Sequence, residues 1–218
     1  MDASVQNTGQ NNLVSVSSPP STPSLQNEKQ LDLVPTLVGL MALKDRSTLR
    51  HSQRVHELTR EWSEHLQSRG KPLHCDSDFL ETAALLHDVG KLGVLDEVLG
   101  KKGALTEAEW GQIQLHSEIG YQMIRDYPRI SEIALGVRHH HERWDGKGYP
   151  MGLSGKQIPE IAQVIAIVDA YDAMTSDRPY RKAMGHGETL QEILKEAGRH
   201  FNPDLARNFV EFMHARNT

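Results

Sequence analysis

Five separated segments of this 218-residue chain carry side chains able to bind a first-row metal ion. They hold His51, the pair His87 and Asp88, His116, the pair His140 and His141, and Asp169. Imidazole nitrogens and carboxylate oxygens suit Zn, Mn, Fe or Ni, and one carboxylate can bridge two ions through its two oxygens. The densest stretches are LLHDVGKLG at 85–93 and HHHERWDGKGYP at 139–150. In the first, His87 and Asp88 adjoin near the end of an apolar helix, with Lys91 one turn on, just past Gly90. Adjacent helical residues diverge by about 100 degrees, so both serve one ion only if it sits against the helix face. In the second, histidines end a helix and a loop with Gly146 and Gly148 follows, closed by Tyr149 and Pro150. Such glycines let a loop turn sharply and approach a ligand closely.

Each signal has a bland alternative. Asp88 and Lys91 at i, i+3 also read as a surface ion pair with His87 satisfied in the core. DGKGYP also reads as an ordinary turn with Tyr149 packed on the fold. His51 and His116, taken singly, read as core or half-exposed histidines. Asp169 is different, because a charge inside IAIVDAYDAM needs a partner or a metal. Five inward-turned segments at once favour a shared metal site over five separate explanations.

The elements that must position these groups are helices. Leu33, Leu37, Leu40 and Met41 form one apolar stripe, and His51, Val55, Leu58 and Trp62 form the next. Leu80, Ala83, Ala84 and His87 follow on a third. Thr106 and Glu109 are a capping box opening a helix through His116, and Asn202-Pro203 opens one through Leu205, Phe209 and Phe212. IAQVIAIVDAYDAM at 161–174 is rich in Val and Ile, but no second strand is available to pair with it, so a buried helix is expected. The fold class expected is all-α, one helical domain over 29–218. Residues 1–28, dominated by Ser, Asn, Gln, Thr and Pro, are expected to be a disordered tail.

Composition narrows the function. Hydrophobic residues make up 38% and charged residues 24%, as in a soluble domain with some disorder. A formal net charge of -5 gives no global field to draw in DNA or an anionic membrane, so neither is an expected partner. A small anion would have to be attracted locally, by metal or a few cations. Twelve histidines are many for this length. Cys75 is the sole cysteine, and neither a signal-peptide start nor a bilayer-length apolar run is visible, so a cytoplasmic location is expected.

HDVGK, HHERWDGKGYP and VDAYDAMTSDRPYR, in that order, resemble the HD-GYP family of HD-domain metal-dependent phosphohydrolases. The resemblance runs from about His51 to about Pro203, over the globular part. It implies an HD-type helical bundle that hydrolyses cyclic di-GMP to the linear dinucleotide or GMP with two or three metals, often iron or manganese. Carried over by residue, it implies metal ligation by His51, His87, Asp88, His116, His140, His141 and Asp169, with Asp88 as the bridge. Lys91 would neutralise the phosphate, Tyr149 would lie near the substrate, and Arg178 and Arg181 would bind phosphate or guanine, with Asp172 beside them. Asp172 reads equally as a partner orienting a ligand. His139 matches no ligand position and is expected on the helix surface. Trimetal members carry a glutamate four residues before the first histidine. That position is Ser47 here, with Asp45 out of register, so two divalent ions are expected.

Two ions roughly 3.5–4 Å apart acidify water and clamp phosphoryl oxygens during in-line displacement. Lys91 and the arginines would add fixed positive charge. Other readings are an HD-type phosphohydrolase of another cyclic dinucleotide or nucleotide, and a low-turnover binding module meeting a protein partner through the GYP loop or the tail. Nothing in the sequence fixes an oligomeric state.

Overall fold

A computed structural model describes residue 1 and residues 25–127, 130–177 and 182–216. Through them run α1 Leu25–Lys44, α2 Arg46–Ser68, α3 Ser77–Leu86, α4 Asp96–Leu99, α5 Glu107–Ile124, α6 Ser131–His139, α7 Glu160–Thr175, α8 His186–Lys195 and α9 Pro203–Arg216. Among the described residues, extended backbone pairs only at two isolated bridges. The all-α expectation holds, and the Val- and Ile-rich stretch is helix α7. Most of the tail expected over 1–28 lies outside the described residues. Its last four residues belong to α1, which begins earlier than its composition foretells.

Local signals fix where the helices begin. Asp45 caps α2, its carboxylate accepting the amides of Ser47 and Thr48. Thr106 and Glu109 form the expected reciprocal box at α5. The Asn202 side chain accepts the amides of Asp204 and Leu205, with Pro203 in the first turn of α9. The stripes then meet in one core. Val55, Leu58 and Trp62 of α2, Leu80 and Leu86 of α3, and Ile165 and Val168 of α7 are buried there. A fully buried Leu or Ile contributes about 1.5–3 kcal/mol. Trp62 meets Phe209 of α9 edge to face at 4.9 Å. Leu40, expected on the inner stripe of α1, is exposed, while Leu37 and Met41 carry that helix's burial. Exposed Trp110 is part of no core.

α2 lies between α1, α3 and α7, and α6 sits against α3, α5 and α7. Between α3 and α4 the chain tightens into a 3-10 turn, Val89–Gly93, which packs on α5. His87 therefore ends a helix and Asp88 stands at the junction, with φ -96° and ψ 6°. The pair stands at the end of its helix, as expected, with Asp88 already past the regular backbone of α3.

Gly90 makes that junction fit. A Cβ there would overlap the His116 carbonyl and the Gly120 amide, both backbone and unable to swing aside. Gly90→Ala is therefore expected to cost about 1–3 kcal/mol or more, the range for overpacking. Urea denaturation measures it, and an unchanged midpoint would contradict the close approach.

Candidate metal centre

The five segments converge. The ligand atoms of His51, His87 and Asp88 lie within 4.8 Å of one another, and so do those of His116, His140 and His141. Asp88 stands between the groups, 2% exposed. Its Oδ2 is 3.5 Å from His87 Nε2 and 3.9 Å from His51 Nε2, while its Oδ1 is 3.5 Å from His116 Nε2. Asp169 of α7 closes the first group, its Oδ1 3.0 Å from His51 Nε2. On the other side the His140 and His141 rings lie 4.0 Å apart, and His141 is 5.0 Å from His116.

The tautomers explain why these atoms face inward. Nδ1 of His87, His116 and His140 lies 2.7, 2.6 and 2.8 Å from the carbonyls of Ala84, Ile113 and Val137, each three residues earlier. A carbonyl only accepts, so Nδ1 carries the proton and neutral Nε2 presents a lone pair. Nε2 of His87 is buried with no hydrogen-bond partner. Nε2 of His116 and His140 approach to 3.3 Å, lone pair to lone pair. Donors aimed at one another in this way fit a cation among them, and the donor set suits first-row divalent ions.

Electrostatics agree. Burial would push the Asp88 carboxyl up, but nearby positive charge, Lys91 foremost, outweighs it and holds it well below the usual carboxylate range. Asp169 is likewise held low against burial by His51. Burial, then neighbouring imidazoles, push His140 well down, and burial takes His141 to about 3. His116 is lowered by burial as well. Burial works against charge on His51 too, yet Asp169 and Asp172 raise it to about 9.

The remaining expected residues divide. Lys91 Nζ donates to Asp88 Oδ2 at 2.6 Å, and since Asp88 is buried this is no surface pair. Tyr149 lies over His141 with ring centroids 4.8 Å apart, and its amide donates to the His141 carbonyl at 3.2 Å. Burial raises its phenol, which stays a neutral donor. Asp172, set beside the substrate by the family resemblance, spends both oxygens on His51 and Arg54, as a partner orienting a ligand would. Arg178 and Arg181 lie outside the described residues. Asp45 accepts from the amides and hydroxyls of both Ser47 and Thr48, so Ser47 brings no carboxylate here and Asp45 is engaged as a cap.

His139 corrects an expectation. It is 5% exposed, not on the helix surface, because α6 is covered on several sides and the turn after it folds back. Glu142 forms that cover: buried, it accepts the amides of Met151 at 2.7 Å and Leu153 at 3.0 Å and lies 3.5 Å from His139. Glu142 thus ties down the GYP loop, a role its position inside HHHERWDGKGYP could have signalled. Gly146 turns the loop at φ 77°, as expected of it. Gly148 approaches the chain's own backbone at His141 to Arg143, where a Cβ has no room, and not a ligand.

The family model described as HD domain matches residues 35–205. A cyclic di-GMP phosphodiesterase of Pseudomonas aeruginosa is 44% identical over 130 residues, 59% of this chain and 31% of that protein. A 3′3′-cGAMP-specific phosphodiesterase of Vibrio cholerae is 34% identical over 186 residues, 84% of this chain and 35% of that protein. The chain thus spans about a third of the length of these relatives. The HD domain of a Listeria monocytogenes phosphodiesterase superposes with a TM-score of 0.58 at 15% identity, covering 83% of this chain and 96% of that one. This likeness supports the fold. Among the described residues no helix is long and apolar enough to cross a membrane.

The depressed histidines make a pH prediction for metal-free protein. His116, His140 and His141 stay neutral when folded but take up protons near their ordinary value of 6.5 when unfolded. Their contribution is present above 6.5 and is lost as pH falls below it. His51 runs the other way, contributing fully below 6.5 and losing that contribution progressively from there to about 9, so it opposes the trend, one imidazole against three. The depressed carboxylates contribute fully above their ordinary 3.8 and do not change in this window. Chelator-stripped protein is expected to melt at least about 2–4 °C lower at about pH 5.5 than at about pH 7.5, the shift per kcal/mol at this size. A melting temperature that holds or rises on acidification would contradict the buried neutral imidazoles.

Proposed function

The chain belongs to the HD-domain family, and on that premise we propose that it is a metal-dependent phosphodiesterase of cyclic dinucleotides, with cyclic di-GMP the expected substrate. The observation that carries the reading is Asp88, a buried carboxylate whose two oxygens face separate groups of imidazole nitrogens. One divalent ion would be held by His51, His87, Asp88 and Asp169, the other by Asp88, His116, His140 and His141. Iron or manganese suits this nitrogen and oxygen set. Two ions are proposed, not three, because Ser47 offers no carboxylate and Asp45 is engaged at the α2 cap.

When bound, the pair supplies the positive charge that acidifies water and neutralises phosphoryl oxygens. The chain's own groups do the rest. Lys91 sits on Asp88 at the edge of the pit, half-buried, where its ammonium can turn to a phosphoryl oxygen. Tyr149, held over His141 by the GYP loop, offers a neutral hydroxyl or a ring face to the dinucleotide. Arg178 and Arg181 are proposed to bind phosphate or guanine from the DRPYR segment. The product would be the linear dinucleotide, with GMP following if the second ester is cleaved. The kinship with cyclic di-GMP and 3′3′-cGAMP phosphodiesterases supports the substrate class.

Purified protein supplied with Mn2+ should convert cyclic di-GMP to a linear product, with 3′3′-cGAMP assayed in parallel to read base preference. Asp88→Ala is expected to lower turnover at least about 100-fold and to lower metal content with it, since even residues behind metal ligands cost 10–100-fold. Turnover unchanged by Asp88→Ala would sink the site. Messenger bound but left intact by metal-replete protein would make this a binding module.

A further inference from the structure

His51 differs from the other anchored imidazoles. His87, His116 and His140 rest Nδ1 on backbone carbonyls that their own helices hold in place. His51 instead rests Nδ1 on the Asp172 side chain, Oδ2 at 2.6 Å, from α7 across the interface. A carboxylate can rotate about its side-chain bonds, so this anchor is only as firm as whatever holds Asp172.

Arg54 holds it. One turn after His51 on α2, its Nε donates to Asp172 Oδ1 at 2.6 Å and an Nη to Oδ2 at 2.7 Å. The same Nη reaches Ser176 Oγ at 3.2 Å, one turn beyond Asp172 on the α7 side. Two near-parallel bonds from a planar guanidinium set both distance and tilt of the carboxylate, which a point charge does not. We propose that Arg54 is a positioning residue that fixes Asp172 behind His51 and so sets the affinity of the ion on the His51 side, leaving the His116 side unaffected. This rests on the two-ion reading above.

Magnitudes separate this role from a merely structural one. The Arg54 side chain is 49% exposed but that of Asp172 only 9%, so breaking this half-buried pair lowers the stability of the metal-free fold as well. Residues behind metal ligands, by contrast, change metal affinity about 10–100-fold. Removing the guanidinium should therefore cost the metal-free fold some stability, but only a positioning role loosens one ion and spares the other.

The test is calorimetric titration of Mn2+ into chelator-stripped protein. Wild type should take up two ions. Arg54→Met should weaken one of them about 10–100-fold and leave the other unchanged, with Arg54→Lys in between because it keeps the charge but not the fork. In a His141→Ala background, which removes a ligand from the opposite side, Arg54→Met should still weaken the ion that remains tight. Arg54→Met should still unfold cooperatively without metal, which keeps a selective loss of one ion distinct from unfolding. Two ions bound to Arg54→Met at wild-type affinity, or both loosened equally, would overturn the role of Arg54 while leaving the two-ion reading standing. Wild type that binds no Mn2+ would overturn the metal reading and this inference with it.

Discussion

A carboxylate 2% exposed, at a helix junction and flanked by imidazole lone pairs, is the constraint around which the rest of this structure is arranged. Burying Asp88 would cost several kcal/mol if it stood alone. Lys91 offsets part of that at 2.6 Å, and the imidazoles offset more only when protonated or when a cation lies between them and the carboxylate. Protonation is opposed on the His116 side, where burial keeps His140 and His141 neutral. A bound cation would satisfy both oxygens and the orphaned Nε2 of His87 together. The packing that isolates Asp88 from water is thus also what would make a cation favourable there.

The fold serves that constraint through backbone geometry. Each of three imidazoles donates to the carbonyl three residues before it, which fixes ring and tautomer together. At His87 and His140 the helix is ending, so that carbonyl is released from the regular ladder and free to accept. The tight turn after Asp88 then presses on α5, and Gly90 allows the His116 carbonyl to approach so closely. Two proposed ligands from different segments, Asp88 and His116, are in this way brought together where Gly90 has no side chain. α6 and α7 complete the pit from the far side, with the GYP loop roofed over it and held by Glu142.

Much of this was legible in the residues alone. Apolar periodicity and caps located α2, α3, α5 and α9, the lack of a second strand made α7 a helix, and the coincidence of inward histidines and aspartates announced a shared site. What stayed hidden depended on contacts between distant segments. Arg54 and Asp172 are 118 residues apart, and nothing local to either names the other. His139 looked superficial because its burial depends on Glu142, whose bonds to Met151 and Leu153 reach nine and eleven residues on. The 3-10 turn at Val89–Gly93 was hidden too, because its packing on α5 depends on a segment well further along the chain.

Charge closes the account of how an acidic chain, -5 overall, would take an anionic substrate. Asp88 and Asp169 bring two negative charges to the proposed ligand set, and the imidazoles bring none. Two divalent cations would bring four positive charges, and Lys91 a fifth, so the loaded pit would be positive by three. A cyclic dinucleotide carries two phosphodiester charges, which that excess can balance within a low-dielectric cavity. Asp172 would subtract from the excess, standing directly behind His51, were it not neutralised from outside by Arg54. The same guanidinium therefore holds the anchor of one ligand in place and keeps a third carboxylate from weakening the positive field that the substrate would enter.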